Sequence, residues 1–461
     1  MEFDPQLGDI RFGCGLSPVV PPPVSVAAML SSLQGPDRAA RDFPVEHWDD
    51  FLSRTKYKQS LRQLRRQNRG TPEAAEARKA QKVLARHARE AQMHWLGQHL
   101  LRRTKTETPF RERLTAFWAD HFTATGKVGL LRRAATPYVE TAIRPHVAGR
   151  FEDLLIAAVL HPVMVHYLDQ DSSVGTNSTR GLKVPQKAGV NENLAREVLE
   201  LHTLGVGGPY TQTDVTELAE LLTGVTLDQV AGFKFRKDWA EPGAETVLGR
   251  SYGGEDARLA DVKAALRDLA RHPATAAHLS AKLAVHFLGD APEPGVAEAM
   301  AAAYRDSGGD LSSVYAALLQ HPAAWTPARR NVKPAFDFVA SACRALAIAP
   351  EAMAGLDAKA TMRHVQWPLA LMGHIWEKPD GPDGLPEADN AWITPQGVSA
   401  RLQWALAVPQ MLLRDLPDPR DFVVTALGPD APPNVRFAAE AAESRSDGVG
   451  LVLASPAFQR V

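Results

Sequence analysis

The densest concentration of chemically useful side chains in this chain is Asn191–Gly205, NENLAREVLELHTLG. Glu197 and Glu200 are candidate general acids or bases, and Arg196 could hold an anionic group of a substrate. Asn191 and Asn193 add polar contacts, and His202 could shuttle protons or ligate a metal. A second candidate is FWADHF, which supplies Trp118 and His121. Lys183 and Lys187 lie in the irregular stretch Asp169–Gly189, whose length suits a lid over a site. The catalytic candidates are thus Glu197, Glu200, His121 and His202. Arg196, Asn191, Asn193, Trp118, Lys183 and Lys187 are candidates for substrate binding.

The chemistry has boundaries. No GxSxG, P-loop, dinucleotide fingerprint or HExxH occurs, and Ser172-Ser173 sit in a plain polar loop. Cys14 and Cys343 cannot build a disulfide framework, and no CxxC spacing exists. A divalent metal is open as a cofactor but has no specific motif to hold it.

The elements that must position these residues are helices. With Asn191 at zero and about 100° per residue, Leu194, Ala195, Val198, Leu199 and Leu201 fill one arc. Glu192, Asn193, Arg196, Glu197 and Glu200 fill the opposite one. Glu200 and His202 point to nearly opposite sides, so a regular helix cannot aim both at one ion. Glu192, Arg196 and Glu200 form an i, i+4, i+8 ladder, worth about 0.2–0.5 kcal/mol per pair on a surface. His202 lies within the apolar arc. His121 lies at the centre of the face made by Phe110, Leu114, Phe117 and Trp118. Either histidine alone reads as a core side chain held by a carbonyl or carboxylate; two together suggest a functional buried pair. Asn191 is a good N-cap and Gly205 a good residue just past the helix end. Thr211 with Asp214 resembles a capping box.

Helical periodicity dominates the 461 residues, so the expected fold is mostly α: one large multi-helical domain over 1–461. Within it we expect a basic helical subregion at 54–107, a core at 108–225 and a C-terminal helical part at 256–461. In 226–255, a small β-hairpin is expected near 232–252, formed by GFKFRKDW and ETVLGRSY. Long irregular stretches sit at Asp169–Gly189 and Lys378–Pro395. Helices are repeatedly joined through His-Pro, at His161, His272 and His321, which mark helix junctions because proline suits a first turn.

Formal net charge is −1, which gives no reason to expect nucleic acid as the main partner. Arg54–Glu90 departs from neutrality, with twelve Lys/Arg against three Glu. Lacking a series of aromatic side chains to stack bases, it reads first as the solvated face of one or two long helices. Its functional reading is a patch for RNA, an acidic protein or anionic lipid. No apolar run approaches the roughly 20 residues of a membrane span. The first residues lack the apolar core of a signal peptide, so a cytoplasmic location is expected.

FWADHF, HPVMVHYLD and NENLAREVLELHTLGVGGPYTQTDVTELAELLTG, in that order, resemble the bacterial family called domain of unknown function 1800. RFGCGLSP, HPATAAHLSAKLAVHF, NVKPAFDFVASACRAL, LMGHIWEKPDGPDG with AWITP, and LVLASPAFQRV extend the resemblance over nearly the whole chain. The family's hallmark falls on Trp118, His121, Asn191, Asn193, Arg196, Glu197, Glu200 and Thr203. The resemblance implies an interior Arg–Glu–Asn network, since a surface ladder tolerates almost any order of charges. Members are often exported. They are often encoded beside a sulfatase-like family called domain of unknown function 1501, which the resemblance implies as partner. Members also often carry a His-Asp pair followed by Gly and Lys, where this chain reads KDWAEPGAETVLG. The expected function is a hydrolase-like or metal-assisted enzyme using a Glu/Arg/His network in the helical core. The alternative is a non-enzymatic helical assembly or partner protein whose buried Arg–Glu–Asn network is structural.

Overall fold

Local signals set the helix boundaries in this computed structural model, which describes residues 2–228 and 232–461. At each His-Pro junction the imidazole is itself the N-cap. Nδ1 of His161, His272 and His321 accepts the backbone N–H two residues on, at 3.2, 3.1 and 3.2 Å. Proline follows at the first helical position, where its missing N–H costs nothing. The Thr211–Asp214 capping box closes from both sides at the start of Gln212–Leu221.

The basic region forms two helices, Trp48–Gln67 and Pro72–Lys105, packed against each other. The second has 34 residues and joins two hydrophobic cores. Its Ala88 and Trp95 belong to a core built from the chain up to Trp325. Leu96, Leu100 and Leu101 belong to a second core formed mainly by 332–458.

Buried arginines bind the layers together. Arg102 makes a two-pronged contact with Glu140 at 2.7 and 2.9 Å. Arg144 grips Glu112 at 2.5 and 3.1 Å and Asp37 at 2.6 and 2.9 Å. Arg103 and Arg113 both pair with Asp337, whose carboxyl they hold far below its usual range against the opposing effect of burial. A buried network of charged side chains therefore exists, built from residues outside Asn191–Glu200.

Three expectations change. The strand-like runs do not pair with each other: Gly232–Phe235 pairs with Val225–Asp228, and Gly243–Val247 with Arg250–Gly254, giving two small antiparallel hairpins. Positions 229–231 of that span lie outside the described residues. The periodicity of Tyr138–Arg150 predicts one helix there, but the chain forms a π turn at Val139–Ile143 and a 3₁₀ turn at Arg144–His146, because Pro145 cannot continue an α-helix. The helix over Asn191–Leu204 is α only for Asn193–Glu197 and widens into π for Val198–Thr203, where the Thr203 hydroxyl donates to the Val198 carbonyl at 2.6 Å. No helix among the described residues is long and apolar enough to cross a membrane.

Candidate functional site

Helix Pro109–His121 is buried on nearly every side, so both of its faces do something. One face carries Phe110, Leu114, Phe117, Trp118 and His121 into the first core. The opposite face repeats Glu112, Thr115, Ala116, Ala119 and Asp120 at helical spacing, and these line a cavity of 230 Å³. Small side chains at 115, 116 and 119 leave the space, and charged ones at either end frame it. The remaining walls come from both cores: His99 and Arg103, Thr136 and Tyr138, Asp337, His286, and the irregular segment from His374 to Trp392. A concave site with a few polar groups where two cores meet is a common setting for a ligand.

The segment over the cavity is held by specific contacts. Asp120 accepts the Leu385 backbone N–H at 2.8 Å. Gly384 sits at φ +82°, and a Cβ there would lie 2.6 Å from an Asp120 carboxylate oxygen, so only glycine admits this approach. Glu377, itself in the left-handed region at φ 54°, receives Thr136 Oγ1–H, and Gln92 Nε2–H at 2.6 Å. Trp376 stacks on Phe336 with ring centres 5.2 Å apart. Trp376 Nε1 and His374 Nδ1 are buried polar atoms of this wall with no protein partner.

Two carboxyls of the cavity are driven in opposite directions. Burial pushes Asp120 up to about 7; the neighbouring Glu387 and Asp383 add to this, while Leu385 N–H and Lys282 oppose it. Burial also disfavours the Glu387 carboxylate, but His286 outweighs that and holds it below its usual range. His286 Nδ1 lies 3.0 and 3.2 Å from the two Glu387 oxygens, so that nitrogen carries the proton. His286 Nε2 faces the Arg113 guanidinium at 3.4 Å.

The residues singled out by sequence lie elsewhere. His121 and His202 do meet, with ring centres 6.0 Å apart, and His121 Nε2 is 3.2 Å from the His202 carbonyl. Their surroundings are Trp118, Phe122 and Phe151, and burial lowers both imidazoles far below their usual range. Trp118 donates to the Tyr315 hydroxyl at 2.6 Å within that core. Arg196 bridges Glu192 at 3.0 Å and Glu200 at 3.4 Å with side chains 39, 35 and 27 % exposed, so this face lies at the surface and not in the interior. Its geometry is the i, i+4 ladder of the wheel, with Gln212 and Thr216 bound to Glu192 from the next helix. Glu192, not Asn191, holds the cap position; Asn191, one residue earlier, accepts Asn193 N–H at 2.9 Å, and Asn193 is exposed. Lys183 and Lys187 are exposed on a segment closed by the Val174–Gly189 bridge and tied to Asp238–Glu241; none of it lines the cavity. No group of three or more His, Cys, Asp or Glu placed to hold a metal occurs among the described residues.

A family model described as "Protein of unknown function (DUF1800)" matches residues 26–460. The chain belongs to this family. No curated protein and no solved structure matches it. Within this DUF1800 chain, Asp120 was overlooked between two conspicuous neighbours, Trp118 and His121. The signal that could have found it is the 112, 115, 116, 119, 120 spacing. The long irregular segment after His374 was also visible as a loop of functional length.

Proposed function

We propose that this DUF1800 protein is an acid–base enzyme of hydrolase type, with its reaction in the cavity walled by helix Pro109–His121. The observation that carries this reading is the pair Asp120 and Glu387: two carboxyls lining one cavity, one raised to about 7, the other lowered. Groups pushed apart in this way mark an acid and a base. Asp120, protonated near neutrality, gives its proton to a leaving group. Glu387, kept ionised and oriented by His286, takes a proton from water as the water oxygen bonds to the electrophile and the leaving-group bond breaks. Solvent then returns a proton to Asp120 and removes one from Glu387. Trp376 Nε1–H and His374 Nδ1 supply hydrogen-bonding positions for substrate. Glu197, Glu200, His121 and His202 take no direct part.

The test is a panel of chromogenic esters, phosphoesters and glycosides assayed with wild type, Asp120→Asn and Glu387→Gln. Any genuine turnover should fall about a hundred- to ten-thousandfold in either variant, the usual contribution of a general acid or base. Turnover that survives both substitutions sinks the reading.

A second reading has its own observation. The pairs Arg102–Glu140 and Arg144–Glu112 are buried and each joined by two hydrogen bonds, as a structural network would be. In that reading the protein is a helical assembly factor, and the neighbouring sulfatase-like family, domain of unknown function 1501, is the partner. Co-purification with that neighbour, with no turnover on the panel, favours it.

A further inference from the structure

The basic region stands apart from both cores. Between Arg62 and His87, Ala77 is the one side chain among these described residues that is fully buried; most others are exposed. Helices Trp48–Gln67 and Pro72–Lys105 touch each other here, and Arg65 Nη1–H donates to Gln81 Oε1 at 2.7 Å across the pair. The far half of the long helix, from Met93, is buried in the cores instead. The result is a two-helix hairpin rooted in the body and reaching into solvent.

Its charge is segregated from the rest. Arg54–Glu90 holds twelve Lys/Arg against three Glu, leaving forty Lys/Arg against fifty Asp/Glu elsewhere in the chain. A basic arm thus projects from an acidic body. Few of the arm's cations are neutralised: its ion pairs are Arg54–Glu46, Lys79–Glu76 and Arg86–Glu90, the last at 3.7 Å. Arg62, Arg66, Arg69, Arg78, Lys82 and Arg89 are exposed.

Apolar side chains sit among these cations. Tyr57 is 51 %, Leu64 39 % and Val83 43 % exposed. Tyr57 and Leu64 are seven residues apart and so lie in one row along their helix. Only residues 68–71 separate the two helices, so along the hairpin Val83 lies at about the level of Tyr57, and Leu64 lies nearer the tip.

We infer that this hairpin is a docking arm for an anionic phospholipid bilayer. Cations that alternate with exposed apolar groups fit a surface that is negative outside and apolar just beneath. A nucleic acid would use the cations but leave Leu64 and Val83 wet. The acidic body sets the orientation, because an anionic surface attracts the arm and repels everything else. The arm meets the bilayer along its outer half, and the cavity, lined by the far half of the long helix, stays in solvent.

The test is sedimentation of this 461-residue chain with vesicles of phosphatidylcholine alone or of phosphatidylcholine mixed with phosphatidylglycerol as the anionic lipid. Binding is expected to the anionic vesicles only and to weaken steeply with salt. A triple variant, Arg62→Glu, Arg66→Glu and Arg69→Glu, should lose about a hundredfold or more in affinity, at roughly fivefold for each cation removed. Leu64→Gln with Val83→Gln should weaken binding severalfold and leave the salt dependence unchanged. These positions are exposed, so unchanged melting temperatures verify the fold. Absence of binding to anionic vesicles at low salt overturns the inference. So does duplex DNA binding of equal strength that Leu64→Gln and Val83→Gln leave untouched.

Discussion

Two helical faces of this protein carry carboxylates and an arginine within one or two turns, and their surroundings give them different chemistry. On Asn193–Thr203, the Glu192–Arg196–Glu200 row is open to water and to the Gln212 and Thr216 side chains. On Pro109–His121, Glu112 is sealed against Arg144, and the half-buried Asp120 meets the half-buried Gly384–Leu385 turn with one backbone N–H for company. Water screens the first set, so its charges are nearly independent of one another. Exclusion of water from the second makes every pairing strong and every unpaired group costly. The contrast teaches that reactive groups are to be sought where charges cannot relax into solvent, whatever their density in the sequence.

The largest expected effect comes from exchanging one arginine on each side. Arg144→Ala leaves Glu112 and Asp37 without their partner in the interior and should cost about 3–5 kcal/mol. Arg196→Ala removes two partly exposed i, i+4 contacts and should cost no more than about 1 kcal/mol. Urea unfolding of both variants measures the difference. Equal losses would break the comparison, because they would place the Arg196 face in the interior after all.

Next is the pH dependence carried by Asp120. Its carboxyl titrates at about 7 in the native protein and near 4, roughly, once unfolded. Between those values the native state holds a proton that the unfolded chain has lost, so stability falls as pH rises through this window. Asparagine keeps an oxygen for the Leu385 N–H and has no charge to bury. Asp120→Asn should therefore match wild type near pH 4 and exceed it at pH 8 by about 2–4 kcal/mol. A variant that is less stable than wild type at pH 8 would show that the ionised carboxylate belongs to the fold. A gain in stability with loss of turnover would mark a group kept for function at the expense of the fold.

How much of this was legible in the chain follows from the same contrast. Periodicity and caps are local, and they locate the His-Pro junctions at His161, His272 and His321 and the Thr211 box closely. The basic run reads directly as helices because water solvates it in any arrangement. Hairpin pairing is not local: the sequence offers ETVLGRSY as partner to GFKF, and choosing Val225–Asp228 instead needs the surrounding fold. The cavity needs still more. Asp120, His286 and Glu387 come from three separate parts of the chain, and each is unremarkable where it stands. The wheel places Asp120 away from His121, but no spacing tells that Gly384 closes upon it. Periodicity puts His121 and His202 on buried faces, but only the fold brings them together, and imidazoles enclosed by Trp118, Phe122 and Phe151 have no carboxylate to work with.

Glycines sharpen the comparison at the next level. Gly384 and Gly207 both lie in the left-handed region, at φ +82° and +73°. A Cβ on Gly384 would strike Asp120, whereas one on Gly207, in the loop after the polar helix, would meet nothing within 4 Å. Alanine at either site costs about 1–2 kcal/mol for the backbone conformation. Gly384→Ala should cost roughly 1 kcal/mol beyond that from overpacking, and part of the excess should disappear in an Asp120→Ala background, while the Asp120 carbonyl oxygen, 2.8 Å from the added Cβ, sustains the rest. Melting temperatures of the single and double variants give the answer. An undiminished excess would locate its cause outside the Asp120 side chain.

The smallest effect tests where the two regions touch. Glu197 is raised above the usual carboxylate range, first by burial and then by its neighbours Glu200 and Asp383, with Arg196 opposing. Asp383 belongs to the loop over the cavity and adds to the rise of Asp120 as well. The outer face of that loop therefore rests beside the polar helix, and a negative charge on Glu197 works against loop closure. Because the native carboxyl binds its proton more tightly than the unfolded one, this repulsion appears as pH rises past the ordinary Glu range. Glu197→Gln should stabilise the protein by a few tenths of a kcal/mol at pH 7, screened as it is by solvent, and by nothing near pH 4. In the double variant with Asp383→Asn the gain should shrink, since the two substitutions remove the same repulsion. Full additivity would mean that Glu197 and the cavity loop are energetically separate. A shortfall would show that the conspicuous helix carries a weak repulsion against the loop of the inconspicuous site.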